Sequence, residues 1–186
     1  LQPSAGDYAL YQKGFLMGLQ KDYKGKINMM DQLIREFPNS SYADDALFEK
    51  GRAYVLLDNN SSAARTFEQL VKQYPQSALS SKAGIQLGLI YFNDGEMDRA
   101  AEAYKAVIRN YPGSDEAKVA LQDLKSVYVE QNNVNAYADY VNSLGGNIHL
   151  EVSEQDSLTY IAAEKLFMRG DNAGAQRSLE SYLQQY

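Results

Sequence analysis

Three helix-stopping signals divide the chain: LIREF runs into PNS, LVKQY into PQS and VIRNY into PGS. Phe37, Tyr74 and Tyr111 are spaced 37 residues apart. Another 37 residues reaches Ile148, with His149 where proline stood, and 38 more reaches Tyr186. A fixed period of this size specifies an array of like units, each burying its apolar face against a neighbour.

Each unit reads as two helices. Around the second unit, Leu47, Tyr54 and Leu57, then Ala63, Phe67, Leu70 and Val71, follow helical spacing. DNN (58–60) separates the two helices, as NDGE (93–96) does one period later. The proline ends the second helix, because it has no N–H and restricts the residue before it. Ser40, Ser77 and Ser114 follow two residues later, placed to cap the next helix. Ser41 with Asp44, and Ser153 with Asp156, have capping-box spacing. Gly14, Gly51 and Gly88 recur in the first helix, and Ala63, Ala100 and Ala175 in the second. Glycine is expected to face alanine at a close crossing, with Phe67 and Tyr104 filling the flanking space.

The motif GIQLGLIYFNDGEMDRAAEAYKAVIRNYP, with Leu87, Gly88, Tyr91, Ala100, Tyr104 and Pro112 in place, resembles the tetratricopeptide repeat. Leu47, Gly51, Tyr54, Ala63, Phe67 and Pro75 repeat the match. The resemblance covers nearly the whole chain as units of about 4–38, 40–75, 77–112, 114–148 and 153–186. It implies an all-α, right-handed superhelical solenoid of about five antiparallel helix pairs. Lys26 replaces the packing alanine of the first unit, and Lys125 and Tyr137 replace glycine and alanine in the fourth. A change of curvature is therefore expected across 118–144. The 37-residue period and the YPxS turn are similar to those of periplasmic bacterial repeats, such as the Tol–Pal-associated coordinator proteins and the lipoprotein of the outer-membrane β-barrel assembly machine. That likeness implies a periplasmic or outer-membrane-associated location, with the cytoplasm as the alternative.

Composition removes much chemistry. The chain has no cysteine and one histidine, so thiolate metal sites, cysteine nucleophiles and multi-histidine sites are excluded. A net charge of −6 argues against nucleic-acid binding. No apolar run approaches the ~18 residues of a membrane span, and the first residues lack signal-peptide features. GFLMG and GIQLG read as small-residue motifs, but Gly14 and Gly88 have packing roles. Acids at 43–45, 93–98 and 114–116 lie at helix starts and a helix–helix turn, and lack calcium-loop spacing. His149 reads as a turn residue. No cofactor, no metal and no catalytic residue is expected.

The resemblance places the first helix of each unit on a concave face. It implies a groove of Tyr11, Phe15, Phe48, Arg52, Ile85, Gln86, Leu89 and Phe92, continuing to Gln122, Ser126, Tyr160, Glu164 and Phe167. Such a face takes peptide through a few apolar anchors. The rival assignment is that some of these side chains are core, above all Tyr11 and Phe15. The carboxylate clamp of chaperone-tail receptors is absent, since only Lys82 fits it. The expected function is a non-catalytic scaffold binding a protein or peptide. The alternatives are an architectural or self-associating module and, behind it, a carboxylate-based hydrolase. Leu179, Tyr182, Leu183 and Tyr186 form an uncapped apolar stripe, as expected of a piece of a longer array with exposed ends.

Overall fold

The computed structural model describes residues 5–145 and 150–185. Ile148, His149 and Tyr186 lie outside the described residues. The regular structure of the described residues is entirely helical. Ten helices form five successive pairs: α1 (Ala5–Leu19) with α2 (Tyr23–Glu36), α3 (Ala43–Leu56) with α4 (Asn60–Gln73), α5 (Ala78–Asn93) with α6 (Met97–Asn110), α7 (Asp115–Glu130) with α8 (Val134–Ser143), and α9 (Val152–Met168) with α10 (Asn172–Gln185). Odd-numbered helices also touch each other across units, from α1 to α3 to α5 to α7 to α9, whereas even-numbered helices do not. The odd helices therefore form the tighter inner layer of a curved array.

One backbone device makes every turn within a pair. Lys21, Asp58, Gly95, Asn132 and Gly170 all adopt left-handed φ, between 51° and 84°. The next residue's N–H reaches five residues back into the finished helix, as Asp22 N to Met17 O at 2.9 Å and Glu96 N to Tyr91 O at 2.8 Å. This is the Schellman closure, which glycine adopts without strain and other residues do not. The Asp22, Asn59 and Asp171 side chains then cap the following helix.

The turns between pairs behave differently. Phe37, Tyr74 and Tyr111 precede proline and leave the helical region, with φ from −130° to −127°. Ser77 and Ser114 cap α5 and α7 by accepting from Leu79 N and Ala117 N. Ser40 accepts from Tyr42 N and so holds the turn before α3. Two of these hydroxyls also tie neighbouring units together. Ser40 donates to Asp7 at 2.7 Å and Ser77 donates to Asp44 at 2.6 Å, one unit back. Ser114 finds Ser81 at the matching place and donates to Tyr111 O instead. The capping boxes need correction. Tyr42 occupies the N-cap position of α3 without a side-chain bond, and Asp44 is taken by Ser77. Ser153 lies inside α9, whose N-cap is Glu151.

The glycine–alanine crossing is also corrected. A Cβ on Gly51 would stand 2.5 Å from the Phe67 ring, and one on Gly88 would stand 2.4 Å from Tyr104 Cε1. Each glycine makes room for the aromatic ring itself rather than for the alanine. Phe67 and Tyr104 are consequently almost fully buried, within a core that runs from Leu47 through Leu70, Leu87 and Val107 to Leu124 and Val141. The fourth pair departs. Lys125 turns away to Glu154 of α9 at 3.1 Å, while Tyr137 is buried against Tyr128 with ring centroids 6.1 Å apart. α8 has 10 residues where α4 and α6 have 14, and it meets α7 far less extensively than those helices meet their partners.

Overpacking sets the size of the expected effect. Gly51→Ala or Gly88→Ala is expected to lower unfolding free energy by about 2 kcal/mol, while Asp58→Gly changes it little or raises it by up to ~1 kcal/mol. Urea denaturation of the three variants reads this. Equal stability of Gly88→Ala and wild type would overturn the ring-on-glycine account.

Candidate functional site

The inner layer brings three of the eight groove candidates to one place. Phe48 of α3 and Ile85 and Gln86 of α5 line a hollow of about 280 Å³ with Lys82, Asp115, Glu116 and Val119. Three successive units contribute to it. Phe48 and Ile85 are half-buried, packed on the core below, with Phe48 tilted against Phe67 at 5.8 Å between centroids. Val119 is 47% exposed, so the hollow has an apolar wall open to solvent. Lys82 stands exposed at its edge, and Glu116 is half-buried beside it.

The other five candidates lie elsewhere on the same layer. Leu89, 44% exposed, and Phe92, half-buried against the core, continue along α5 beyond the hollow. Tyr11 is half-buried and stacks on Tyr42 with centroids 5.3 Å apart. Phe15 is 40% exposed, with the Lys26 ammonium 6.0 Å from its ring centre. Arg52 is exposed and donates from Nη1 to Glu49 Oε1 at 3.0 Å. Farther along, Gln122 and Ser126 are exposed and polar, so the apolar character of this face fades at the fourth unit.

Tyr11, Phe15 and Arg52 surround a buried ion pair that the repeat pattern did not reveal. Lys26, in the place of the packing alanine, reaches across from α2 to Glu49 of α3, and both are over nine-tenths buried. Gly18 leaves a path for the lysine stem, since a Cβ there would stand 2.8 Å from Lys26 Cδ. The Glu49 carboxylate thus accepts from two cations, Lys26 and Arg52. Burial, then Asp45 and Glu49, push the Tyr11 phenol up to about 12, against the pull of Arg52. Burial, then Asp44 and Glu49, hold the Asp45 carboxyl above the ordinary carboxylate value.

The acidic clusters are engaged in structural work. Asp115 pairs with Lys118 at 2.9 Å, Glu96 with Arg99 at 2.9 Å, and Asp98 accepts from Gln131 at 2.8 Å. Asp94 accepts from Asn60 at 3.0 Å. Among the described residues no group of three or more His, Cys, Asp or Glu side chains is placed to hold a metal ion. Among them, too, no helix is long and apolar enough to cross a membrane.

Sequence reasoning named the α3 and α5 sides of the hollow and missed the α7 side. Val119 stands 37 residues after Lys82, so the period itself pointed to it. Asp115 and Glu116 read only as helix openers. Lys26 was visible as an exception to the alanine rule, but its partner Glu49 was not.

Models of the tetratricopeptide repeat match residues 8–40 and 48–115, together more than half of the chain. No curated protein matches the chain in sequence. Among solved structures, the Sgt2 tetratricopeptide domain from Aspergillus fumigatus is 26% identical over 70% of this chain and 83% of its own, with a TM-score of 0.56. A tetratricopeptide repeat protein from Parabacteroides merdae is 14% identical over 98% of this chain and 67% of its own, with a TM-score of 0.64. YrrB, described as having an unusual peptide-binding site, is 17% identical over 94% of this chain and 74% of its own, with a TM-score of 0.54.

Removing Glu49 strands Lys26 in a dry site, whereas Glu49 without Lys26 keeps its bond to Arg52. Glu49→Ala is expected to cost about 3 kcal/mol, whereas Lys26→Met with Glu49→Met recovers most of that loss. Thermal unfolding of the single and double variants measures it, and a neutral Glu49→Ala would show that the pair holds nothing together.

Proposed function

This chain belongs to the tetratricopeptide-repeat family, and on that premise we propose that it is a non-catalytic scaffold that binds a peptide or protein segment on the inner face of its first four units. The observation that carries the reading is the hollow shared by α3, α5 and α7. Its wall of Phe48, Ile85 and Val119 suits one branched apolar side chain, whose burial contributes roughly 1.5–3 kcal/mol. The Gln86 amide, half-buried beside it, can both donate to and accept from a peptide backbone. Exposed Leu89 offers a second apolar contact one turn along α5.

The peptide-binding site named for YrrB fits this reading, although the likeness itself speaks for the fold alone. Catalysis finds no support in the paired acids, and repeat proteins of this family characteristically act as scaffolds. A bacterial cell-envelope setting, periplasmic or outer-membrane-associated, rests on the 37-residue period and the YPxS turns alone. Fractionation of cells expressing the native gene tests it, and recovery in the cytoplasm would remove it.

Selection from a random peptide library is expected to yield peptides with a common leucine- or isoleucine-like anchor. Val119→Asp and Gln86→Ala should each weaken them by about tenfold, or 1.4 kcal/mol, with helicity unchanged. Leu183→Asp, exposed on α10, serves as control. Equal affinity of all three variants would sink the assignment.

A further inference from the structure

The buried core separates at the junction between α7 and α9. One cluster runs from Leu47 to Val141, while Val129, Val134 and Ala162 form a small cluster of their own, with half-buried Leu158 touching both. Elsewhere each even helix packs along the next odd one, as α4 does on α5 and α6 on α7. The short α8 meets α9 over a fraction of that length. α9 and α10, by contrast, remain well packed on each other.

Charge and polar groups fill the deficit. Glu130, at the end of α7, is mostly buried and accepts from both Lys165 of α9 and Arg169 at its C-cap. Lys125 of α7 reaches Glu154 of α9 at 3.1 Å. Both links run from α7 to α9, one near each end of α9. A polar cleft of about 140 Å³, lined by Asn132, Asn135, Thr159 and Ser178, occupies the space beside them. Such a cleft is roomy enough for water, which replaces polar contacts at little cost when the surfaces part. The cations are half-exposed, with Lys165 at 44% and Arg169 at 51%, so salt reaches them.

We propose that α9–α10 is a semi-rigid module latched to α7 by the Glu130–Lys165/Arg169 cluster, and that rising ionic strength releases the latch and lets the module reorient. Packing between α9 and α10 keeps the module intact while its junction loosens. The remaining apolar contact at Val129, Val134, Ala162 and Leu158 then acts as the pivot. An array so built has a stiff inner face over its first units and a salt-responsive end.

The chain contains no cysteine, so Asn110→Cys and Arg177→Cys, both at exposed positions, can carry a single pair of spin labels. The label–label distance distribution is expected to be narrow at ~0.05 M salt and broad at ~1 M. Glu130→Gln should give the broad distribution already at low salt, with helicity preserved. The charge swap Glu130→Lys with Lys165→Glu and Arg169→Glu should restore the narrow one. A distribution unmoved by salt and by Glu130→Gln would overturn the latch. Loss of helical signal from α9–α10 in Glu130→Gln would overturn it equally, by showing that the pair does not persist as a module.

Discussion

The lodging of an aromatic ring on a helix glycine is the contact on which this array depends. Phe67 on Gly51 and Tyr104 on Gly88 set how closely the two helices of a unit approach. No residue with a Cβ permits that distance without displacing the ring. Close approach buries Phe67, Leu70, Tyr104 and Val107, which are the apolar continuity between units. Across units the odd helices touch each other and the even helices do not, which gives the array its inner face. The first pair keeps the geometry with Gly14 against Met30, a flexible side chain in place of a ring. The fourth pair, with Lys125 and Tyr137 at the crossing, loses it, and packing thins there.

The fold was legible because its determinants are local and repeated. Proline after an aromatic, serine two residues on, and a small residue every 37 positions need no tertiary knowledge to interpret. Contacts between helices were legible only in part. Smallness at Gly51 was visible, but whether Ala63 or Phe67 would fill the space depends on helix rotation, which spacing does not specify. The Ser40–Asp7 and Ser77–Asp44 bonds use groups that also have a local capping role, and the local role hid the distant one. The left-handed turn residue was hidden differently. Lys21, Asp58, Gly95, Asn132 and Gly170 keep the period but share no side-chain chemistry, because only the backbone is selected there.

The candidate site shows the same limit. Transferring inner-face positions from the repeat pattern found Phe48, Ile85 and Gln86, which do meet at one hollow. It grouped with them Tyr11, Phe15 and Arg52, which surround the Lys26–Glu49 pair instead. A periodic rule gives the face on which a residue lies but not its neighbours across the unit boundary. Those neighbours depend on exceptions such as Lys26, where a charge replaces a small residue and recruits a partner 23 positions away.

The central claim is that the inner face of α3, α5 and α7 receives the ligand. Backbone amide shifts recorded while a library-selected peptide is titrated in test this most directly. The account predicts that the largest changes fall on residues around Phe48, Lys82, Ile85, Gln86 and Val119, with α4, α6 and α10 nearly silent. Changes concentrated on the even helices, or on α10, would contradict it.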